Sequence, residues 1–231
     1  LLGLATTTSL PAQVAEICDN GIDDDADRLI DCADDDCFFP LYSDSGQGLG
    51  NSDSLGVALG DFDGDGDLDA WVANLNQANR VWINQGGEQG GVVGNFTDSG
   101  QALGNSTSLD VSLGDLDGDG DLDAWVANLN QANRVWINQG GVQGGTVGNF
   151  TDSGQALGNA AGRAVSLGDF DGDGDLDAWV ANSDNQANRV WINQGGVQGG
   201  TVGNFTDSGQ PLGNSISIDV SLGDLDGDGD L

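Results

Sequence analysis

The sequence predicts an all-β chain made of repeated units of four antiparallel strands, and three observations predict it. An acidic nonapeptide, Asp61-Phe62-Asp63-Gly64-Asp65-Gly66-Asp67-Leu68-Asp69, returns at 115–123 and 169–177 and begins again at Asp224, at intervals of 54, 54 and 55 residues. Between these segments lie short apolar runs such as Ala124-Trp125-Val126-Ala127 and Val135-Trp136-Ile137, the length of strands rather than helices. Glycine is abundant, 40 of 231 residues, and gathers between the runs, where turns use it.

In the second unit the strands are expected at 109–114, 122–127, 134–138 and 149–157. Val111 and Leu113 alternate with polar residues, which suits a strand with one wet face. The continuous runs around Trp125 and Trp136 suit strands covered on both faces. Turns fall at the acidic nonapeptide, at 128–133 and in the glycine-rich 139–148. The one extra residue of the third interval lies in Asn182-Ser183-Asp184-Asn185-Gln186-Ala187-Asn188, where a turn is expected to absorb it.

A four-stranded unit of about 40 to 55 residues, repeated with little change, is how a β-propeller blade reads in sequence. The stretch 42–50 matches 96–104, so the repeats open on a fourth-strand sequence. In a ring such a strand completes the last blade and removes an exposed edge. Three whole units and these pieces predict an incomplete, open propeller of about three blades.

The nonapeptide has the make-up of a calcium loop. Hard divalent cations take six to eight oxygen ligands, and alternate residues of a tight turn can aim carboxylates at one centre. Carboxylates stand at positions 1, 3, 5 and 9, glycine at position 6 gives the bend, and a backbone carbonyl near position 7 adds a ligand. Without metal these carboxylates repel one another, whereas an ion bound only to the folded loop stabilises the fold. An EF-hand is excluded because it needs Glu at position 12, where Val72, Val126 and Val180 stand; a dockerin-like loop, with Asp there, fails likewise. Nonapeptide β-roll repeats would recur every nine residues, and tandem thrombospondin-type repeats would not place four strands between loops.

Loop, flanking Asp-Ala-Trp-Val-Ala-Asn, the later Asn-Arg-Val-Trp-Ile-Asn and the period together resemble the FG-GAP/VCBS repeat family, whose relatives include the integrin α-subunit propeller. The resemblance covers about residues 42–231. It implies calcium at Asp61, Asp63, Asp65, Asp67 through its carbonyl, and Asp69. It implies the same at Asp115, Asp117, Asp119, Asp121 and Asp123, and at Asp169, Asp171, Asp173, Asp175 and Asp177. The fourth loop offers Asp224, Asp226, Asp228 and Asp230 but lacks position 9. The expectation is three full calcium sites, a truncated fourth and a weak fifth.

That fifth group lies in the segment 16–40, where Asp23, Asp25, Asp27 and Asp31 repeat the 1, 3, 5, 9 spacing but Arg28 takes the glycine position. Cys18, Cys32 and Cys37 fit an oxidising compartment, with one disulfide of open pairing and one cysteine left over. Zinc fits poorly, since the chain has no histidine and three thiols need a fourth ligand. The segment resembles a short Cys/Asp-rich metal-binding motif of exported bacterial proteins, with Ala26 and Arg28 where that pattern has glycine. Residues 1–15, uncharged, small and apolar, read as a signal-peptide remnant or a disordered N-terminus ahead of repeats at 41–231. Secretion or cell-surface display is therefore expected.

Charge narrows the partners. Five basic residues against 38 acidic ones give a net charge of -33, which repels nucleic acid and acidic lipid surfaces. No apolar run approaches the ~20 residues that span a bilayer. Trp71, Trp82, Trp125, Trp136, Trp179 and Trp191 recur at strand positions; packing between blades is the expected role and a carbohydrate platform the rival. Arg80, Arg134 and Arg189 open each third strand and are expected to neutralise nearby Asp or cover Trp. Asn95, Asn105, Asn149 and Asn204 lie in glycosylation sequons.

Neither histidine nor lysine occurs, and the acidic clusters are accounted for by metal. Paired carboxylates run glycoside chemistry in some sites, but identical loops in every blade are a poor route to one active site. The expectation is a non-enzymatic, calcium-binding extracellular scaffold for adhesion or for binding protein or glycan. The alternative is an accessory propeller of a secreted hydrolase or lyase whose catalytic region lies elsewhere.

Overall fold

A computed structural model describes residues 44–86, 90–140, 143–210, 212–225, 227 and 229. The N-terminal segments, the three cysteines, the Asp23 group, and Asp226, Asp228 and Asp230 lie outside the described residues. Almost all of the described chain belongs to one compact unit, Gln47–Leu231.

That unit is all-β, with three four-stranded antiparallel sheets that do not close into a barrel: an incomplete propeller of three blades. Blade one holds β1 (Ser54–Gly60), β2 (Asp69–Asn74), β3 (Arg80–Asn84) and β4 (Phe96–Asp98). Blade two holds β5 (Ser108–Gly114), β6 (Asp123–Asn128), β7 (Arg134–Asn138) and β8 (Phe150–Asp152). Blade three holds β9 (Gly162–Gly168), β10 (Asp177–Asn182), β11 (Arg189–Asn193) and β12 (Phe205–Asp207). In each sheet the strands pair in chain order, as a meander.

The second strands are buried almost throughout, as their continuous apolar runs require. The fourth strand is the main departure from expectation. It spans three residues in place of nine, because Gly154 takes a positive φ of 80° and turns the chain, which bridges back only where Leu157 meets Asn133. The extra residue of blade three sits in the turn between β10 and β11, where Asp184 and Asn185 both adopt φ of 58° and the strand pairing on either side is kept.

Tryptophan packing joins the blades. Trp71 is fully buried and meets Phe150 of blade two edge-on at 4.8 Å, with Trp136 at 6.4 Å. Trp125 repeats the arrangement against Phe205 at 4.7 Å and Trp191 at 6.4 Å of blade three. Two equivalent cores result, each built from the far face of one blade and the near face of the next. Trp71 and Trp125 are therefore core residues, which excludes them from a carbohydrate platform. Among the described residues nothing covers the near face of blade one: Val57 is 64% exposed, whereas its counterpart Val111 in blade two is 6% exposed.

Candidate metal centre

Each acidic nonapeptide is the tip of the hairpin between the first and second strands of its blade. In blade one the ladder ends at the pair Gly60 and Asp69, and the loop crosses between them. Asp61 shapes the turn by accepting backbone N–H groups: Oδ1 from Gly64 at 2.8 Å and Asp65 at 3.1 Å, Oδ2 from Gly66 at 3.0 Å. The turn needs glycine at position 6, where Gly66 takes φ of 93°. Asp115 and Asp169 make the same three bonds in their loops. Asp224 accepts from Gly227 at 2.6 Å and Gly229 at 3.0 Å, so the fourth loop begins with the same turn.

The loop carboxylates converge. One oxygen from each of Asp61, Asp63 and Asp69 lies within 4.8 Å of the others, and the triads Asp115, Asp117, Asp123 and Asp169, Asp171, Asp177 repeat this. Position 5 lies beside them, where Asp65 accepts from the Asp67 N–H at 2.9 Å, as Asp119 does from Asp121 and Asp173 from Asp175. Oδ2 of Asp65, Asp67, Asp119, Asp121 and Asp175, and Oδ1 of Asp117, are buried and accept no hydrogen bond. Buried carboxylate oxygens without donors are costly. A hard cation would satisfy those at positions 3 and 5, so the donor set fits calcium in kind.

Position 9 has a second task. Asp69 opens β2, is fully buried, and accepts from the Phe62 N–H at 2.9 Å and the Asn84 N–H at 2.8 Å. It thus ties the loop to the end of the third strand. Asp123 and Asp177 do the same with Leu116 and Asn138, and with Phe170 and Asn193.

Electrostatics follow from this burial. Loss of water pushes the Asp69 carboxyl up to about 6 and Asp123 up to about 7, against the pull of the backbone N–H groups and with help from nearby loop carboxylates. Asp117 rises to about 6, first through burial and then through Asp119 and Asp115. Asp121, Asp171, Asp175 and Asp177 are raised as well, with burial the largest cause.

Sequence reasoning missed two sets of residues at these loops. Asn138 donates Nδ2 to the carbonyl of Phe62 in the preceding blade at 3.0 Å, and Asn193 to that of Leu116 at 2.9 Å. Gln143 and Gln198, on the turn after the third strand, donate Nε2 to Oδ2 of Asp117 and Asp171. Both sets recur at the repeat interval, and that recurrence was the signal available. The third-strand arginines behave as expected. Arg80, Arg134 and Arg189 pair with Asp98, Asp152 and Asp207 at 3.8, 3.6 and 3.3 Å.

Among the described residues no helix is long and apolar enough to cross a membrane. No curated protein matches the chain significantly. The model of the FG-GAP-like repeat matches three times, at residues 61–126, 115–180 and 169–231, each match running from one acidic loop into the next blade. With loop, blade and period all in agreement, the chain belongs to the FG-GAP-like repeat family.

Proposed function

We propose that this chain is a non-enzymatic, calcium-stabilised extracellular scaffold for adhesion or for binding a protein or glycan. The observation that carries the reading is the threefold recurrence of a converging Asp triad beside buried carboxylate oxygens that lack donors. Asp61, Asp63, Asp65, Asp69 and the Asp67 carbonyl would hold one ion, with their counterparts from Asp115 to Asp123 and from Asp169 to Asp177 holding two more. The ion supplies charge neutralisation and cross-links the hairpin tip; the chain supplies preformed turns.

Repeats over residues 61–231, in a sequence without histidine or lysine, favour binding over catalysis. Three equivalent polar recesses of about 160 to 180 Å³ support a multivalent surface. The first is lined by Asn51, Ser52, Asn74, Arg80, Trp82 and Asp98. Display outside the cell accords with the family and with calcium supply there.

Thermal melting with calcium and with chelator tests the reading. Each filled site adds about 2.7 kcal/mol when free ion is 100-fold above its dissociation constant. A melting temperature indifferent to calcium, or binding of fewer than about two ions per chain, would overturn it.

A further inference from the structure

The turn between the third and fourth strands lies against the metal loop of its own blade. A methyl group at Gly140 would overlap Oδ2 of Asp121, and one at Gly195 would overlap Oδ2 of Asp175. Three residues beyond each of these glycines stand Gln143 and Gln198, whose amides touch the position 3 carboxylates Asp117 and Asp171. Oε1 of Gln143 is buried and has no donor.

The nonapeptide alone leaves a calcium ion short of oxygen. Of its carboxylates, Asp123 already accepts two backbone N–H bonds, from Leu116 and Asn138, and so does Asp177, from Phe170 and Asn193. Six to eight ligands are needed. The nitrogen and oxygen of a primary amide share one shape, and half a turn about its last torsion exchanges them. Facing a bare carboxylate the N–H is favoured inward; facing a cation the carbonyl is, because it is a hard oxygen donor of the kind calcium takes.

We propose that Gln143 and Gln198 each supply a side-chain carbonyl oxygen to the ion in their blade, which makes the centre a two-loop site closed by the glycine-rich turn. This rests on the calcium reading above. Binding of the ion then fastens the turn after the third strand to the hairpin tip it already touches, so the two loops of a blade are held together.

Tb³⁺ bound to the full chain, excited through tryptophan, tests this, since its luminescence lifetimes in H₂O and D₂O count the waters on the ion. The double variant Gln143→Ala/Gln198→Ala is expected to raise the summed count by about two, one water filling each vacated ligand position. Gln143→Glu/Gln198→Glu is expected to keep the count of the unaltered chain and to bind Tb³⁺ more tightly, a carboxylate oxygen replacing the carbonyl. An unchanged count in the alanine variant overturns the proposal, because the glutamines then only steady Asp117 and Asp171 from outside. Should the alanine variant fail to fold, a raised count or weaker binding in the glutamate variant overturns it equally. No Tb³⁺ binding by the unaltered chain overturns the calcium reading and the proposal with it.

Discussion

Asn138 Nδ2 donates to the carbonyl oxygen of Phe62, 76 positions earlier in the chain, at 3.0 Å. The same asparagine donates its backbone N–H to Asp123 at 2.8 Å and accepts from the Gly148 N–H at 2.8 Å. One buried residue, through its side chain and its backbone N–H, therefore joins the acidic loop of blade one to the base of the acidic loop of blade two. Asn193 makes the equivalent link from blade three to Leu116 in blade two. Loop order is thus transmitted across blade boundaries through hydrogen bonds as well as through apolar packing.

Replacing Asn138 should reveal that link. Asn138→Ala strands the Phe62 and Leu122 carbonyls and the Gly148 N–H, at about 1 to 3 kcal/mol for each buried group left unpaired. Among the described residues the Asn84 side chain bonds two groups, the Leu68 carbonyl and the Gly94 N–H, both in its own blade, so Asn84→Ala should cost less. Chemical denaturation of the two variants measures the difference; equal losses would show that the cross-blade bond adds nothing.

Asp121→Asn should act in opposite directions with and without calcium. The Asp121 carboxylate has a buried Oδ2 without a donor, and Asp119 and Asp115 disfavour its charge. Removing that charge raises the melting temperature in chelator and shrinks the rise that calcium brings. Melting curves of variant and parent under both conditions decide the matter, and a variant that melts lower in chelator contradicts the expectation.

Acid should stabilise the chelated protein. Asp69, Asp117 and Asp123 carry folded-state values of about 6, 6 and 7, above the ~3.9 of an unfolded aspartate. The folded state then binds more protons between about pH 4 and 7, so stability falls as pH rises through that window. Calcium should reverse the slope, because binding requires the ionised carboxylates. Denaturant midpoints at pH 5 and pH 8, in chelator and in calcium, check both signs.

The tryptophan packing predicts a graded response. Trp71→Ala empties the centre of the first interblade core and should cost about 3 to 5 kcal/mol. Trp71→Phe keeps the edge-on contact with Phe150 and, because the indole Nε1 has no acceptor, loses no hydrogen bond. It should cost clearly less than Trp71→Ala, as read from urea midpoints; similar losses would mean that ring volume is not what the core requires.

The period, the hairpin loops and the interblade tryptophans could be read from sequence because each repeats a residue type whose physical role is narrow. Carboxylates at alternate positions with glycine at position 6 have few other uses, and Trp within an apolar run belongs in a core. The fourth strand was read too long because Phe150 and Thr151 favour strand and Leu157 is apolar, whereas the turn residues Asp152-Ser153-Gly154 between them, with Gly154 at positive φ, end the pairing. Asn138, Asn193, Gln143 and Gln198 escaped notice because a lone amide side chain has no preferred partner in sequence; its partner lies in another loop or another blade. The second role of Asp69 and Asp123, which tie a loop to a strand end, was hidden by their place in the ligand template.

Among the described residues nothing covers the near face of blade one, where Val57, Leu59 and Leu68 are exposed, while Val111, Leu113 and Leu122 fill the same places in the covered face of blade two. The three blades therefore present similar sockets and plugs, although Asp110 of blade two accepts from the Val165 N–H at 3.0 Å where blade one has Gly56. Selection of the right neighbour then falls to the short connection leading into each blade and to such local differences at the interface. During folding at high concentration, exchange of whole blades between molecules is the characteristic error of such an array, and its products would be joined by contacts much like native ones.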